Sequence, residues 1–342
     1  MIIKKHKIYT NQSLVKDKIM SKILITGAAG YIGSVLVRQL LNNGYKVKGL
    51  DALFFGGESL LSIYNHPNFE FVKGDIRNKE IVQKILDGVT DVVHLAAIVG
   101  DPACSKQPDL AYEINWEAAK NLFDECNRKN IEHFIFASTC SNYGKMLGDG
   151  LLTENSVLKP VSLYAELKVK FEKYILEKKI RDTFIPTALR FATVYGLSPR
   201  MRFDLTVNEF IREVALNNEL LIFGEQFWRP YCHVDDLAAA CVKVLEASVE
   251  KVRQNVFNVG DTSENYQKKM IADEILKIVP SAKIKYVFKN EDPRDYRVDF
   301  SKINNELGFK ISKSVLDGLR EIFNALNDGI ITEPYSKNYK NI

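Results

Sequence analysis

Cysteine is scarce and scattered in this chain. The five residues, Cys104, Cys126, Cys140, Cys232 and Cys241, are odd in number and no two stand at metal-site spacing. Neither a metal centre nor a disulfide framework is expected, and a reducing cytoplasm fits. No stretch approaches the roughly 20 apolar residues of a membrane span. Excess charge is missing as well: a net charge of +4 over 342 residues offers no footing for nucleic-acid binding. The first twenty residues carry lysines at 4, 5, 7, 16 and 18 but no apolar signal core, so 1–20 reads as a solvated N-terminal extension. Internal repeats and low-complexity tracts are absent, and 331–342 reads as a surface tail.

What remains is a globular composition, 46% hydrophobic and 26% charged, long enough for one large or two modest domains. Its organising stretch is 21–34. The run Ile23-Leu24-Ile25 reads as a strand buried on both faces. Three glycines follow at intervals of three. Gly27 permits a tight turn, Gly30 lets backbone N–H groups approach a pyrophosphate, and Gly33 lets the next helix lie close to the sheet. The phosphates then sit at the helix N-terminus, where unpaired N–H groups and the helix dipole favour negative charge.

A helix over 34–42 stops at Asn43-Gly44, and a second strand over 45–50 ends at Asp51. An acidic residue about 20 positions past the glycines can bind both adenosine ribose hydroxyls. No Arg or Lys follows in 52–57 to hold a 2′-phosphate, which favours NAD over NADP. Further strands are expected at 69–72, 91–97 and 133–137, with helices at 79–86 and 111–126. Strands alternating with helices in this way mean an α/β fold with a doubly wound parallel sheet, its ligand site beyond the carboxyl ends of the strands. The small residues Ala96 and Ala97 let a flat ring pack against the backbone, and His94 reads as a buried, hydrogen-bonded histidine.

The segment from Pro160 opens another helix, on which Tyr164 and Lys168 stand four apart and share a face. An ammonium near a phenol lowers the phenol pKa from about 10. A tyrosine so tuned can take a proton from an alcohol while a hydride leaves the same carbon.

With these residues in place, the chain resembles the extended short-chain dehydrogenases/reductases that modify nucleotide-activated sugars. The carriers are 26–33, Asp51, Asp75-Ile76, the end of the His94 strand, Asn115, 138–144, Tyr164 with Lys168, 189–196 and 229–236, and the likeness runs from about 21 to about 327. The resemblance implies a Rossmann domain over 21–189 plus 231–261. A smaller, discontinuous C-terminal substrate lobe would span 190–230 plus 262–330. NAD would be held by Gly27, Ala29, Gly30, Tyr31, Ile32, Gly33, Asp51, Asp75, Ile76, Leu95, Ala96, Ala97, Asn115, Tyr164 and Lys168. Thr139 would hydrogen-bond the reacting hydroxyl, Tyr164 would act as base on the sugar C4 hydroxyl, and Lys168 would hold the nicotinamide ribose. A nucleoside diphosphate sugar would meet Ser138, Thr139, Thr193, Asn208, Arg229 and Arg294, with Arg229 on the diphosphate. Arg200 and Arg202 could touch the sugar or phosphate, or be solvated loop charges. Helices near 106–127 and 160–178 would form a homodimer interface, although their apolar stripes equally suit an intrachain core.

The outcome at C4 stays open. Dehydratases of this family carry Thr-Asp-Glu where this chain has Thr139-Cys140-Ser141, which argues against dehydration and against the decarboxylases that keep a Glu at the third position. Asp101 could supply a carboxylate, or simply form a turn before Pro102. Cys140 brings in the 3,5-epimerase/4-reductases that use a cysteine here as acid/base. Thr193 replaces the Asn of galactose-type 4-epimerases, and 192–208 with 291–297 is closer to relatives acting on GDP-heptoses and other bacterial surface sugars. The leading expectation is a C4 epimerase or C4 oxidoreductase in surface polysaccharide biosynthesis. A 4,6-dehydratase, a Cys140-dependent 3,5-epimerase/4-reductase and a non-catalytic NAD-binding scaffold are the alternatives.

Overall fold

The three aliphatic residues Ile23, Leu24 and Ile25 are fully buried in strand β1 (Lys22–Thr26), as a strand covered on both faces requires. The computed structural model describes residues 21–146, 148–289 and 294–341; the extension expected over 1–20 lies outside them. The strands that follow are β2 (Lys46–Asp51), β3 (Phe69–Lys73), β4 (Asp91–His94), β5 (His133–Thr139) and β6 (Ile185–Phe191). After them come β7 (Thr193–Tyr195), β8 (Glu219–Phe223), β9 (Trp228–His233), β10 (Asn255–Val259), β11 (Asn265–Gln267) and β12 (Lys283–Val287). Seven form one parallel sheet in the order β10-β6-β5-β4-β1-β2-β3. The order reverses between β1 and β4, and a crevice opens at that point beyond the carboxyl ends of the strands.

Side chains alternate across the strands and feed two cores. Ile23, Ile25, Val93 and Leu189 face α1 (Tyr31–Asn42) and a later helix that carries Leu237. Leu24, Val92, Phe134 and Phe136 face α2 (Lys79–Ile85) and a set of aromatic residues on the other side. Phe136 and Phe171 meet edge to face at 4.7 Å, a favoured aromatic geometry.

The helix expected over 111–126 is interrupted. After α3 (Asp101–Lys106) and α4 (Pro108–Tyr112), a π-helical turn over Glu113–Ala118 precedes α5 (Ala119–Arg128). The wider turn rotates Asn115 inward, where its amide brackets the Ile98 backbone: Oδ1 accepts from the Ile98 N–H at 2.8 Å and Nδ2 donates to the Ile98 carbonyl at 2.9 Å. Local irregularity of this kind recurs at functional sites.

Next come α6 (Leu163–Glu177), α7 (Thr206–Asn217), α8 (Val234–Leu245) and α9 (Val315–Asn327). Helix α8 packs on α1 beneath the large sheet, and the chain then re-enters that sheet as β10. Outside it, β11, β9 and β7 form a three-stranded sheet and β12 pairs with β8. The surface tail expected from 331 is instead tied down. The Phe203 N–H donates to the Tyr339 carbonyl at 2.9 Å, the two rings meet edge to face at 5.6 Å, and the Tyr335 hydroxyl donates to Glu213 at 2.9 Å. Two tyrosines give this segment an apolar and hydrogen-bonded anchor that its polar composition conceals. Among the described residues no helix is long and apolar enough to cross a membrane, and all five cysteines are free and buried.

Candidate active site

A cavity of about 510 Å³ opens at the switch point and runs from the glycine turn to the small sheet. Its first wall is the glycine turn. Gly27 has φ +77°, and a Cβ there would sit 2.9 Å from the Ala96 backbone nitrogen. A Cβ on Gly33 would fall 2.0 Å from the Gly27 carbonyl oxygen. Helix α1 begins at Gly30 with no side-chain cap and no acidic residue in its first turn, so its N-terminal N–H groups have no intrahelical acceptor and suit an anion. At the end of β2 the Asp51 carboxylate accepts from the Ala29 N–H at 3.0 Å and the Leu53 N–H at 2.8 Å. Burial pushes its pKa up, while those two bonds and the charge of Arg200 pull it down. A bare helix N-terminus, a held carboxylate 20-odd residues on and a backbone cradle that a Cβ would fill all fit NAD. Gly27, Gly30, Tyr31, Ile32, Asp51, Asp75, Ile76, Leu95, Ala96 and Ala97 line this half.

Three expected cofactor residues act from behind the wall. Ala29 orients Asp51, Gly33 seats α1 against the turn, and Asn115 pins the loop after β4. His94 is fully buried, its Nδ1 lies 2.8 Å from Thr26 Oγ1, and burial pushes its pKa down to about 3. It is a neutral structural histidine.

The opposite wall carries Thr139, Ser141, Tyr164 and Lys168. Thr139 ends β5, and its Oγ1 accepts from the Ser141 N–H at 3.1 Å. Ser162 caps α6, accepting from the Ala165 N–H and donating to Asp101 Oδ1 at 2.6 Å. Asp101 also pairs with Arg294 at 3.0 Å, so it anchors the helix that presents Tyr164. One turn later Lys168 is buried, donates to the Ala137 carbonyl at 2.7 Å and lies 5.8 Å from the Tyr164 ring centre. Burial pushes the Lys168 pKa down to about 8. Burial also pushes the Tyr164 phenol up, with Cys104 and Asp101 adding to the shift and Arg202 opposing it. The lowering of the phenol by Lys168 that the helical spacing suggests is therefore not what this arrangement produces: the ammonium is spent on a carbonyl, and desolvation dominates.

Cys140 does not line the cavity. It is 1% exposed, its Sγ donates to the Arg190 carbonyl at 3.2 Å, and burial drives its pKa well up. The reason lies in the tight 3₁₀ turn Cys140–Tyr143 that begins where β5 ends: it keeps Ser138, Thr139 and Ser141 on the cleft and points the Cys140 thiol back at the Arg190 carbonyl of β6. Its expected acid/base role has no geometric basis. Ser138 borders the cleft, but its hydroxyl donates to Glu172 at 2.6 Å within a buried network completed by the Glu172–Arg190 pair at 2.6 Å.

On the substrate side, Thr193, Arg229 and Arg294 line the cavity. Arg229 lies 5.4 Å over the Tyr296 ring and donates to the Trp228 carbonyl. Asn208 does not reach the cleft. It is fully buried, accepts from the Gly196 N–H, and donates to the Tyr31 hydroxyl and the Arg202 carbonyl. Its place in the first turn of α7 directs it toward the core, where it braces the loop before that helix. Arg200 and Arg202 are not solvated loop charges: both are under a tenth exposed and line the cavity. Phe54, Phe55, Tyr231, Tyr296 and Asn341 line it too. Their individual roles had no local pattern to announce them, because each reaches the cleft only through long-range packing.

A family model described as the NAD dependent epimerase/dehydratase family matches residues 23–260. A UDP-glucose 4-epimerase of Lactobacillus helveticus is 30% identical over 311 residues, covering 84% of this chain and 92% of that relative. The low-salt glycan biosynthesis protein Agl12 of Haloferax volcanii is 30% identical over 305 residues, covering 87% of this chain and 96% of that protein. The solved structure of a UDP-glucuronic acid 4-epimerase from Bacillus cereus, in complex with UDP-glucuronic acid and NAD, superposes with a TM-score of 0.80. It is 28% identical and covers 90% of this chain and 99% of that one.

Proposed function

This chain belongs to the NAD dependent epimerase/dehydratase family, and from that membership we propose that it is a C4 epimerase of a nucleotide-activated hexose, working in surface glycan synthesis in the cytoplasm. It is an NAD-dependent enzyme of the extended short-chain dehydrogenase/reductase class with a Rossmann fold. Bound NAD supplies the acceptor, and then the donor, of the hydride exchanged at the sugar carbinol.

The chain's own residues do the rest. Thr139 Oγ1 orients the C4 hydroxyl, Tyr164 takes its proton and later returns one, and Lys168 holds positive charge behind the phenol. Arg229 faces the diphosphate as a fixed guanidinium. The single observation that carries the choice of epimerisation is the wall Thr139-Cys140-Ser141. It brings no carboxylic acid to the cleft, Cys140 faces away, and Asp101 is engaged with Ser162 and Arg294. Loss of water from C5 and C6 needs an acid and a base beside the threonine, and this wall offers neither. The names of the relatives make uracil and thymine nucleotides the first bases to try. We also carry forward a homodimer through α4 to α6; much of their apolar stripe, Phe123 and Phe171 included, is already buried within one chain. The outer face offers Tyr112 and Val161 as exposed apolar residues.

The test is incubation of the NAD-loaded protein with a panel of UDP-, dTDP-, GDP- and CDP-hexoses in heavy water, read by mass and NMR. An inverted C4 at unchanged mass, with no deuterium at C3 or C5, is the expected product. A product lighter by one water returns the dehydratase, and one lighter by two hydrogens an oxidoreductase that stops at the ketone. Deuterium at C3 and C5 returns the 3,5-epimerase. Bound NAD with no product from any sugar leaves the scaffold.

A further inference from the structure

We propose that segment 335–341 is part of the cofactor site, and that Asn341 and Arg200 bind the adenosine half of NAD where it passes Asp51. The inference rests on the NAD assignment of the cleft. The segment lies well beyond residues 23–260, which the family model matches.

The geometry begins at the loop before α7. Arg200 lies 4.4 Å over the Phe55 ring, within electrostatic reach of Asp51, and its Nη2 donates to the Lys340 carbonyl at 3.0 Å. Beside it, Asp204 accepts from the Asn341 N–H at 3.2 Å while holding Arg202 at 2.8 Å. The segment is thus stitched to the loop at Tyr339, Lys340 and Asn341 in succession. Those bonds bring Asn341 onto the wall of the cavity.

Two atoms in this wall have no partner among the described residues: the Asn341 Oδ1 acceptor and the Arg200 Nε donor, each shut off from solvent. Arg200 as a whole is only 7% exposed. Buried donors and acceptors in folded proteins are nearly always paired, and leaving them unpaired is destabilising. No described side chain supplies the partners, and both residues line the cleft. A ligand there that offers both a hydroxyl donor and an acceptor oxygen satisfies both atoms once the two side chains turn toward it, and the ribose and phosphate beside Asp51 are such a ligand. The guanidinium also lies within electrostatic reach of Asp51 on the wall of the cavity that the uncapped start of α1 enters, where it suits the charge of a diphosphate.

The test is calorimetric titration of the full chain and of Asn341→Ala and Arg200→Gln with NAD, ADP-ribose, nicotinamide mononucleotide and UDP. A chain shortened to end at residue 332 is the second route. The expected result is ADP-ribose and NAD binding weakened about five- to tenfold in Asn341→Ala, and more in Arg200→Gln. Nicotinamide mononucleotide and UDP should be unchanged, and NAD should leave the shortened chain faster in a stopped-flow chase. Equal ADP-ribose affinity in the native chain and in both point variants overturns the proposal. So does a loss confined to UDP, which would put the segment on the sugar-nucleotide side. A native chain that binds neither NAD nor ADP-ribose overturns the NAD assignment along with it. The unfolding temperature without ligand identifies any variant that has lost its fold, and Asn341→Ala, at the edge of the molecule, then carries the comparison.

Discussion

The Tyr164 hydroxyl has no hydrogen-bond partner among the described residues, and Lys168 donates to the Ala137 carbonyl. The phenol is thus free to meet a sugar hydroxyl, and its activation waits on the bound reactants. Tyr164→Phe should lower kcat by about 10²- to 10⁴-fold with NAD affinity unchanged by calorimetry; normal turnover would remove the tyrosine from the chemistry. Cys140→Ser is expected to keep kcat within about twofold, because the thiol contacts a strand carbonyl behind the wall. A large loss with an intact thermal melt would restore the 3,5-epimerase alternative. Tyr164, Lys168 and Thr139 were legible as a set from helical spacing and motif. The direction of the phenol's pKa was not, because burial and the Cys104 and Asp101 charges depend on contacts between distant segments.

The turn from β1 into α1 does more than bind phosphate. Gly33 has no space for a side chain, with the Gly27 carbonyl 2.0 Å from where its Cβ would be. Gly33→Ala must push α1 off the turn. A stability loss of about 1–3 kcal/mol is expected in chemical denaturation, together with weakened NAD binding. An unchanged denaturation midpoint would show that the helix can shift at no cost. Element existence here was readable from apolar runs and glycines. The break inside the 108–128 helical stretch was not: a π turn takes its place because Asn115 satisfies the Ile98 backbone, a demand set by a loop 17 residues away.

Two carboxylates that hold backbone N–H groups of distant segments respond oppositely to pH. Glu264 accepts from the Val315 N–H at the start of α9 at 2.9 Å, and burial pushes its pKa up to about 7. A carboxylate raised in the folded state favours folding below its unfolded pKa, and that stability falls away as pH rises from about 4.5 through 7. Glu321 is the opposite case. Burial acts to raise it, but the His233 hydrogen bond and charge, Lys313 and the Leu197 N–H bring it to about 2. Its contribution is present above about 4.5 and is lost as pH falls toward 2. Glu264→Gln keeps an acceptor for Val315. It should raise the unfolding free energy at pH 8 by an amount on the order of 3 kcal/mol and flatten the decline between pH 5 and 8. A variant no more stable at pH 8 than the native chain would mean that burial does not raise the Glu264 pKa in the fold.

The amino-acid sequence by itself determined the parallel α/β sheet, the NAD turn with Asp51, and the pairing of Tyr164 with Lys168. Each depends on residues close along the chain, whose spacing sets which face they share. Tertiary structure decided the rest. The tight turn that follows β5 pointed Cys140 away from the cleft. The first turn of α7 directed Asn208 into the core, and the two tyrosines of 335–341 held Asn341 against a loop some 140 residues earlier. Those outcomes hang on which distant surfaces meet, and a contact between far segments leaves no periodic trace in either one.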